Sequence, residues 1–243
     1  MIQRNMISLP REFTTSNFCR YTGSWICGQR DGHGVEESKD GSKYDGEYKN
    51  DRRDGTGKLE YSNGDVFEGE FKLNQIYGKG QLTRSNGTIL KAFFNGNLDQ
   101  IVGPVEEIYP DKSRYVGDYC NSQRNGVGSL FYSNGDRYEG EWRCGEREGA
   151  GKLFYKSGDY YDGLWHKDKK NGSGIFHWID GSYYDGQWND DKPHGIGIRS
   201  INNGEIYEGR FYNGERRGRG KITYINGTIE EGIWNHDQFV GKL

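Results

Sequence analysis

The 243-residue sequence predicts an all-β fold: an elongated, single-layer antiparallel meander of about ten β-hairpins, with a right-handed twist and no helical domain. Three observations predict it. The sequence repeats itself every 23 residues, apolar and polar residues alternate within each repeat, and Asn-Gly pairs recur between repeats.

Units begin at Tyr21, Tyr44, Phe67, Leu90, Tyr115, Tyr138, Tyr161, Tyr184 and Tyr207, with a truncated tenth at Glu230. Counting each first residue as position 1, glycine falls at position 3 (Gly46, Gly69, Gly140, Gly163) and an aromatic at position 5 (Tyr48, Phe71, Trp142, Trp165). Positions 1, 3 and 5 alternate with polar positions 2 and 4, the period of a strand with one covered face. A second strand through positions 12 to 18 carries Leu59, Leu82, Leu130, Leu153, Phe176 and Ile222 at position 16.

Between units, Asn63-Gly64, Asn86-Gly87, Asn134-Gly135, Asn203-Gly204 and Asn226-Gly227 are hairpin turns. A two-residue loop of Asn63 and Gly64 puts Leu59 beside Glu68 and splits the apolar set between faces. A three-residue loop with Gly64 left-handed pairs Leu59 with Phe67 and Gly57 with Gly69, uniting it. The facing glycines then leave a trough in which neighbouring rings lie where any Cβ collides. One sheet is thereby covered by its own side chains. About twenty strands spaced about 4.8 Å apart give a strip on the order of 90 Å long.

Composition bounds the function. Only 32% of residues are hydrophobic, with 39 glycines, so no ordinary globular core is expected; 14% aromatic content with 4 prolines argues against disorder. A net charge of −3 provides no global basic field for nucleic acid. No apolar run reaches the roughly 18 residues of a membrane helix and MIQRNMISLPREF has no secretory core, which predicts a cytosolic chain. Cys19, Cys27, Cys120 and Cys144 lack zinc-ligand spacing and read as scattered thiols; the Asn-Gly-Ser/Thr triplets at Asn86, Asn171 and Asn226 read as turns.

From Tyr21 to Leu243 the sequence resembles the MORN repeat family, whose Y-x-G-x-W…G-x-G…G unit is matched by "YEGEWRCGEREGAGKLFYKSGD" and "YDGEYKNDRRDGTGKLEYSNGD". The resemblance implies an aromatic-lined groove and a non-enzymatic scaffold in cytoskeletal, ciliary or membrane-associated assemblies. Family members that are methyltransferases or phosphatidylinositol phosphate kinases owe that activity to further domains whose sequences do not occur here, so it is not carried over.

The expected organisation is a cap segment (1–20), repeats one to three (21–89), a degenerate repeat four (90–114) and repeats five to ten (115–243). Repeat four has Ala92 and Ile101 where glycines belong, contains Pro104 and Pro110, and is two residues long. It reads either as drift or as a bend between two arms, and Phe93 on the polar face favours the bend.

Catalytic signals are weak. Gly55-Thr56-Gly57-Lys58, Gly149-Ala150-Gly151-Lys152 and Gly218-Arg219-Gly220-Lys221 look like phosphate-loop fragments, yet leucine or isoleucine and a strand follow each lysine. His33, His166, His177, His194 and His236 fall at unrelated repeat positions, and the acids at positions 2 and 4 read as a solvated strand face. No catalytic residue, metal ligand or cofactor is expected. Two binding surfaces are. One is an aromatic groove around Tyr138, Trp142, Tyr161, Trp165, Trp178 and Trp188, suited to a helical or extended partner segment. The alternative is a loop rim of position-10 cations, Arg30, Arg53, Arg124, Arg147, Lys170 and Arg216, for phosphoinositides or an anionic membrane. Pairing of two strips into a homodimer is a further possibility.

Overall fold

A computed structural model of the chain describes residues 11–14 and 20–242. Among the described residues there are 21 strands and no helix, in two compact units, one ending at Ser122 and the other starting at Gln123. The first unit holds β1 (Arg11–Thr14), β2 (Arg20–Ile26), β3 (Gln29–Glu37), β4 (Lys43–Lys49), β5 (Arg52–Glu60), β6 (Val66–Lys72), β7 (Gln75–Thr83), β8 (Ile89–Gly96), β9 (Ile101–Ile108) and β10 (Arg114–Cys120). The second holds β11 (Gln123–Phe131), β12 (Arg137–Arg143), β13 (Glu146–Phe154), β14 (Tyr160–His166), β15 (Lys169–His177), β16 (Tyr183–Asn189), β17 (Lys192–Ser200), β18 (Ile206–Tyr212), β19 (Glu215–Thr223), β20 (Ile229–Asn235) and β21 (Gln238–Lys242). Within each unit every strand pairs antiparallel with its sequence neighbours, the meander expected from the repeat.

The turn between repeats has the three-residue form that the face argument selects. Leu59 faces Phe67 and Gly57 faces Gly69. The Tyr61 N–H donates to the Asp65 carbonyl at 2.8 Å, the Gly64 N–H to the Tyr61 carbonyl at 2.9 Å, and Gly64 has φ +88°.

Within a repeat the structure differs from the expectation that position 10 lies in a loop. The loop is only positions 7 and 8, both left-handed, as in Lys167 (φ 49°) and Asp168 (φ 65°), the conformation whose twist matches a hairpin. The second strand therefore begins at position 9, and Trp142 pairs with Arg147. The surplus residues form a bulge around position 12, where Gly149 has φ +71°. Gly-x-Gly-Lys thus arises from a bulge glycine, a ring-berth glycine and the strand continuing beyond them.

Repeat four keeps the ladder, with Ala92 facing Gly80 and Lys91 facing Glu106, and it lies inside the first unit. Glu107, 3% exposed, takes the place an aliphatic residue holds in most repeats; the hydroxyls of Tyr109 and Tyr119 both donate to its carboxylate. Of the expected cap, Arg11–Thr14 pair with β2, Phe13 opposite Tyr21, while 1–10 and 15–19, with Cys19, lie outside the described residues.

Candidate functional site

The core of the second unit is a herringbone of rings on one face of the sheet. Tyr138 stands edge-on to Trp142 (5.1 Å between centroids) and to Trp165 of the next repeat (5.4 Å); Tyr161 does the same with Trp165 and Trp188, both at 5.2 Å. Such edge-to-face pairs exceed simple burial by about 0.5–1.5 kcal/mol each. Tyr138 and Tyr161 are each therefore flanked by tryptophans from two successive repeats.

The polar tips of these rings satisfy the backbone that the bulge disturbs. The Tyr138 hydroxyl donates to the Glu141 carbonyl at 3.0 Å and Tyr161 to Leu164 at 2.9 Å. The Trp165 Nε1–H donates to the Gly151 carbonyl at 3.0 Å and Trp188 to Gly174 at 2.9 Å. Burial pushes the Tyr138 and Tyr161 hydroxyls well above the ordinary phenol range. The position-4 acids likewise serve the backbone, since Glu47 accepts the Thr56 N–H at 2.9 Å and Glu141 the Ala150 N–H at 3.2 Å. They are acceptors for the bulge, which corrects the reading of these positions as merely solvated.

The six groove residues lie on one face, but at different depths. Tyr138 and Tyr161 are fully buried, and Trp142, Trp165 and Trp188 retain 4%, 3% and 6% exposure. Five of the six are core. Trp178 alone is half-exposed, at position 18, against Phe176 (4.7 Å). Sequence reasoning passed over the rest of that column: Tyr132, Tyr155 and Tyr224 are half-exposed on the same face. Their signal was the 23-residue period itself, with an aromatic recurring at position 18 in most of the later repeats. Burial pushes the Tyr155 hydroxyl up to about 12.

The position-10 cations are not a loop rim. They lie in strands, on the ringed face, between the core rings and the position-18 row. Arg147 is 4.2 Å from the Trp165 centroid, Arg216 is 4.3 Å from Trp234, and Arg124 is 4.5 Å from Trp142. Arg147 also pairs with Asp168 at 2.9 Å and Arg216 with Asp237 at 3.0 Å, both from position 8 of the following repeat. In the first unit Arg30 and Arg53 share Glu36, whose carboxyl burial alone would raise but which Tyr48, Arg53 and Arg30 hold below the ordinary range.

Lys170, 8% exposed, holds the position from which Arg147 and Arg216 reach both the carboxylate and the carbonyl of the following repeat's aspartate. Its ammonium is surrounded by Phe176 (4.6 Å), Trp188 (5.1 Å), Tyr161 (5.3 Å) and Tyr155 (5.5 Å), and burial lowers its pKa, with Asp191 opposing. The folded chain disfavours the charged form, so this cost is fully present at neutral pH and fades as pH rises toward the ordinary lysine value of 10.5. Lys170→Met is therefore expected to raise the melting temperature at pH 7 by roughly 2–4 °C, the shift that about 1 kcal/mol produces in a chain this size. The gain should shrink above about pH 10 in a melting series; a lower melting temperature at every pH refutes this account.

In the first unit the opposite face carries an apolar cluster at repeat four. Tyr77 and Phe93 are 39% and 40% exposed with centroids 6.0 Å apart, and Phe93, Val105, Pro104 and Val116 line a shallow concavity.

A single layer of hairpins, covered by an aromatic herringbone that each repeat completes for its neighbour, defines a β-hairpin repeat protein. Eight stretches, 21–43, 44–66, 67–89, 115–137, 138–160, 161–183, 184–206 and 207–229, match the MORN repeat, and the chain belongs to the MORN repeat family. Repeat four and the truncated tenth unit fall outside the matched stretches. No curated protein sequence matches the chain. Among solved structures, the wild-type TCP10 domain of Danio rerio CPAP aligns with a TM-score of 0.49 at 12% identity, over 92% of this chain and 100% of that one. The same domain in complex with a peptide of Danio rerio STIL aligns with a TM-score of 0.49 at 10% identity, over 92% and 99%. The G-box domain of the microcephaly protein CPAP aligns at 0.43 and 14%, over 84% and 100%.

Proposed function

We propose that the chain is a non-enzymatic scaffold that binds an extended or helical segment of a partner protein on the ringed face of the second unit, in a cytoskeletal or ciliary assembly as the family resemblance implies. The observation that carries this reading is the half-exposed row of Tyr132, Tyr155, Trp178 and Tyr224 above a fixed floor of cations and buried rings. Tyr, Trp and Arg are the side chains that concentrate binding energy, and rings held by a rigid floor lose little entropy on contact. The site is thus one layer above the five buried rings. The Arg30, Arg53, Arg147 and Arg216 charges are already matched by carboxylates, which leaves little for an anionic membrane and favours a protein partner. The position-4 acids, occupied with backbone N–H groups, support the non-enzymatic reading.

A partner recovered from native extract should lose about tenfold or more in affinity for Trp178→Ala and for Tyr155→Ala, each with an unchanged melting profile. Full affinity in both, with loss in Phe93→Ser, moves the site to the apolar cluster of repeat four and ends this assignment.

A further inference from the structure

In the second unit, repeat eight departs from the pattern at two positions that meet in space. Position 18 holds Tyr132, Tyr155, Trp178 and Tyr224 in the other repeats, and Ile201 here. Position 16 is apolar in Leu130, Leu153, Phe176 and Ile222, and is Arg199 here. Position 22 varies among these repeats (Asp136, Asp159, Ser182, Thr228) and is Glu205 here; Asp136 and Asp159 accept the Lys156 and Ile179 N–H groups of the next repeat at 2.8 Å, a bond Glu205 does not make among the described residues.

Where the next repeat has a cation at position 10, a position-18 ring can lie beside it, as Tyr155 does beside Lys170 at 5.5 Å. At repeat eight that cation is Arg216, and beside Ile201 there is a cavity of about 280 Å³ lined by Ile201, Ile222 and Tyr207 and by the charged Arg199, Glu205, Arg216 and Asp237. Arg199 meets the Trp178 ring at 5.6 Å and, among the described residues, no carboxylate; the Glu205 carboxylate has no hydrogen bond or ion pair there.

We infer that this cavity receives an aromatic side chain, by preference a tyrosine, presented by the partner segment; the inference rests on the scaffold reading above and deepens it. The cavity interrupts a row of rings at the place of one ring. Its wall offers the Arg216 guanidinium, which already lies over Tyr207 (5.4 Å) and Trp234 (4.3 Å), as a cationic surface for a further π face. A phenol hydroxyl, donor and acceptor at once, satisfies the two groups the repeat leaves open, donating to Glu205 and accepting from Arg199. Charge selects against anions: two guanidiniums (Arg199, Arg216) and two carboxylates (Glu205, Asp237) line the cavity, so a phosphate finds no net positive field, whereas a neutral phenol needs none.

The test is a titration of the full chain, with isoleucine methyl groups labelled, by N-acetyl-tyrosinamide and separately by N-acetyl-leucinamide. Saturable shifts at Ile201 and Ile222 are expected, with about a fivefold preference for the tyrosine probe. Ile201→Tyr, which restores the ring of the other repeats, should abolish the Ile222 response without lowering the melting temperature. Absence of saturable shifts, equal response to both probes, or an undiminished Ile222 response in Ile201→Tyr overturns the inference. The recovered partner separates the two claims. Full partner affinity in Ile201→Tyr alongside loss in Trp178→Ala sinks the cavity and keeps the scaffold, whereas full affinity in Trp178→Ala and Tyr155→Ala sinks the scaffold site itself.

Discussion

Gly140→Val destabilises the second unit by about 3 kcal/mol or more, above the usual cost of overpacking of about 1–3 kcal/mol. A Cβ at Gly140 stands 2.5 Å from the Gly151 Cα, 2.5 Å from the Tyr138 hydroxyl and 2.6 Å from the Ala150 carbonyl oxygen. Two of these three obstacles are backbone of the paired strand, so a rotamer change cannot relieve them. Opening the strands by the missing distance would break the Gly140 to Gly151 register and lift the Tyr138 ring off its berth. Glu139→Ala, one residue away on the other face, removes an exposed ion pair to Arg137 and should cost no more than about 1 kcal/mol. Urea unfolding of the two variants measures the contrast. Equal midpoints would mean that the glycine column is not a ring berth.

Trp165→Ala is expected to cost about 3–5 kcal/mol, the range for deleting a buried large ring. The indole fills the space between Tyr138 and Tyr161, supports Arg147 and holds the Gly151 carbonyl. Its loss also exposes ring edges in two repeats, and in a linear array each repeat depends on such neighbour contacts, so the transition should broaden as well as shift. Trp165→Phe keeps most of the area and loses the donor, leaving a cost nearer about 1–3 kcal/mol for the unpaired carbonyl. Calorimetry of both variants decides; a Trp165→Ala transition within about 1 kcal/mol of the parent would show the indole to be surface. The variant is therefore a probe of folding, and Trp178→Ala is the probe of binding.

The strand order and the turn between repeats were legible because a one-residue slip would have moved Leu59 to the wrong face, and the sequence has few such ambiguities. The turn inside the repeat was not. Asn213 and Gly214, with φ of 51° and 96°, carry the Asn-Gly signal in one repeat, but Leu73 and Asn74, with φ of 52° and 71°, carry none of it, and the bulge that absorbs the surplus residues leaves no composition of its own. That missed turn displaced the position-10 cations from strand to loop in the expectation. Periodicity also assigns a residue to a face without saying what lies above it: Tyr138 and Tyr155 both recur with the period, yet one is floor and the other surface. The Ile201 cavity was hidden for a related reason, since a smaller apolar residue in an aromatic column breaks no rule of alternation.

The sharing of Tyr138 between Trp142 of its own repeat and Trp165 of the next has a consequence for the growing chain. At about 5–20 residues per second a ribosome releases one repeat every few seconds, far longer than the microseconds a hairpin needs to form. Each new repeat can pair on release, yet the tyrosine of the repeat before it stays open on one side until the following tryptophan emerges. The nascent protein thus carries one unfinished ring at its leading edge, which moves forward with synthesis and is covered anew at every 23 residues.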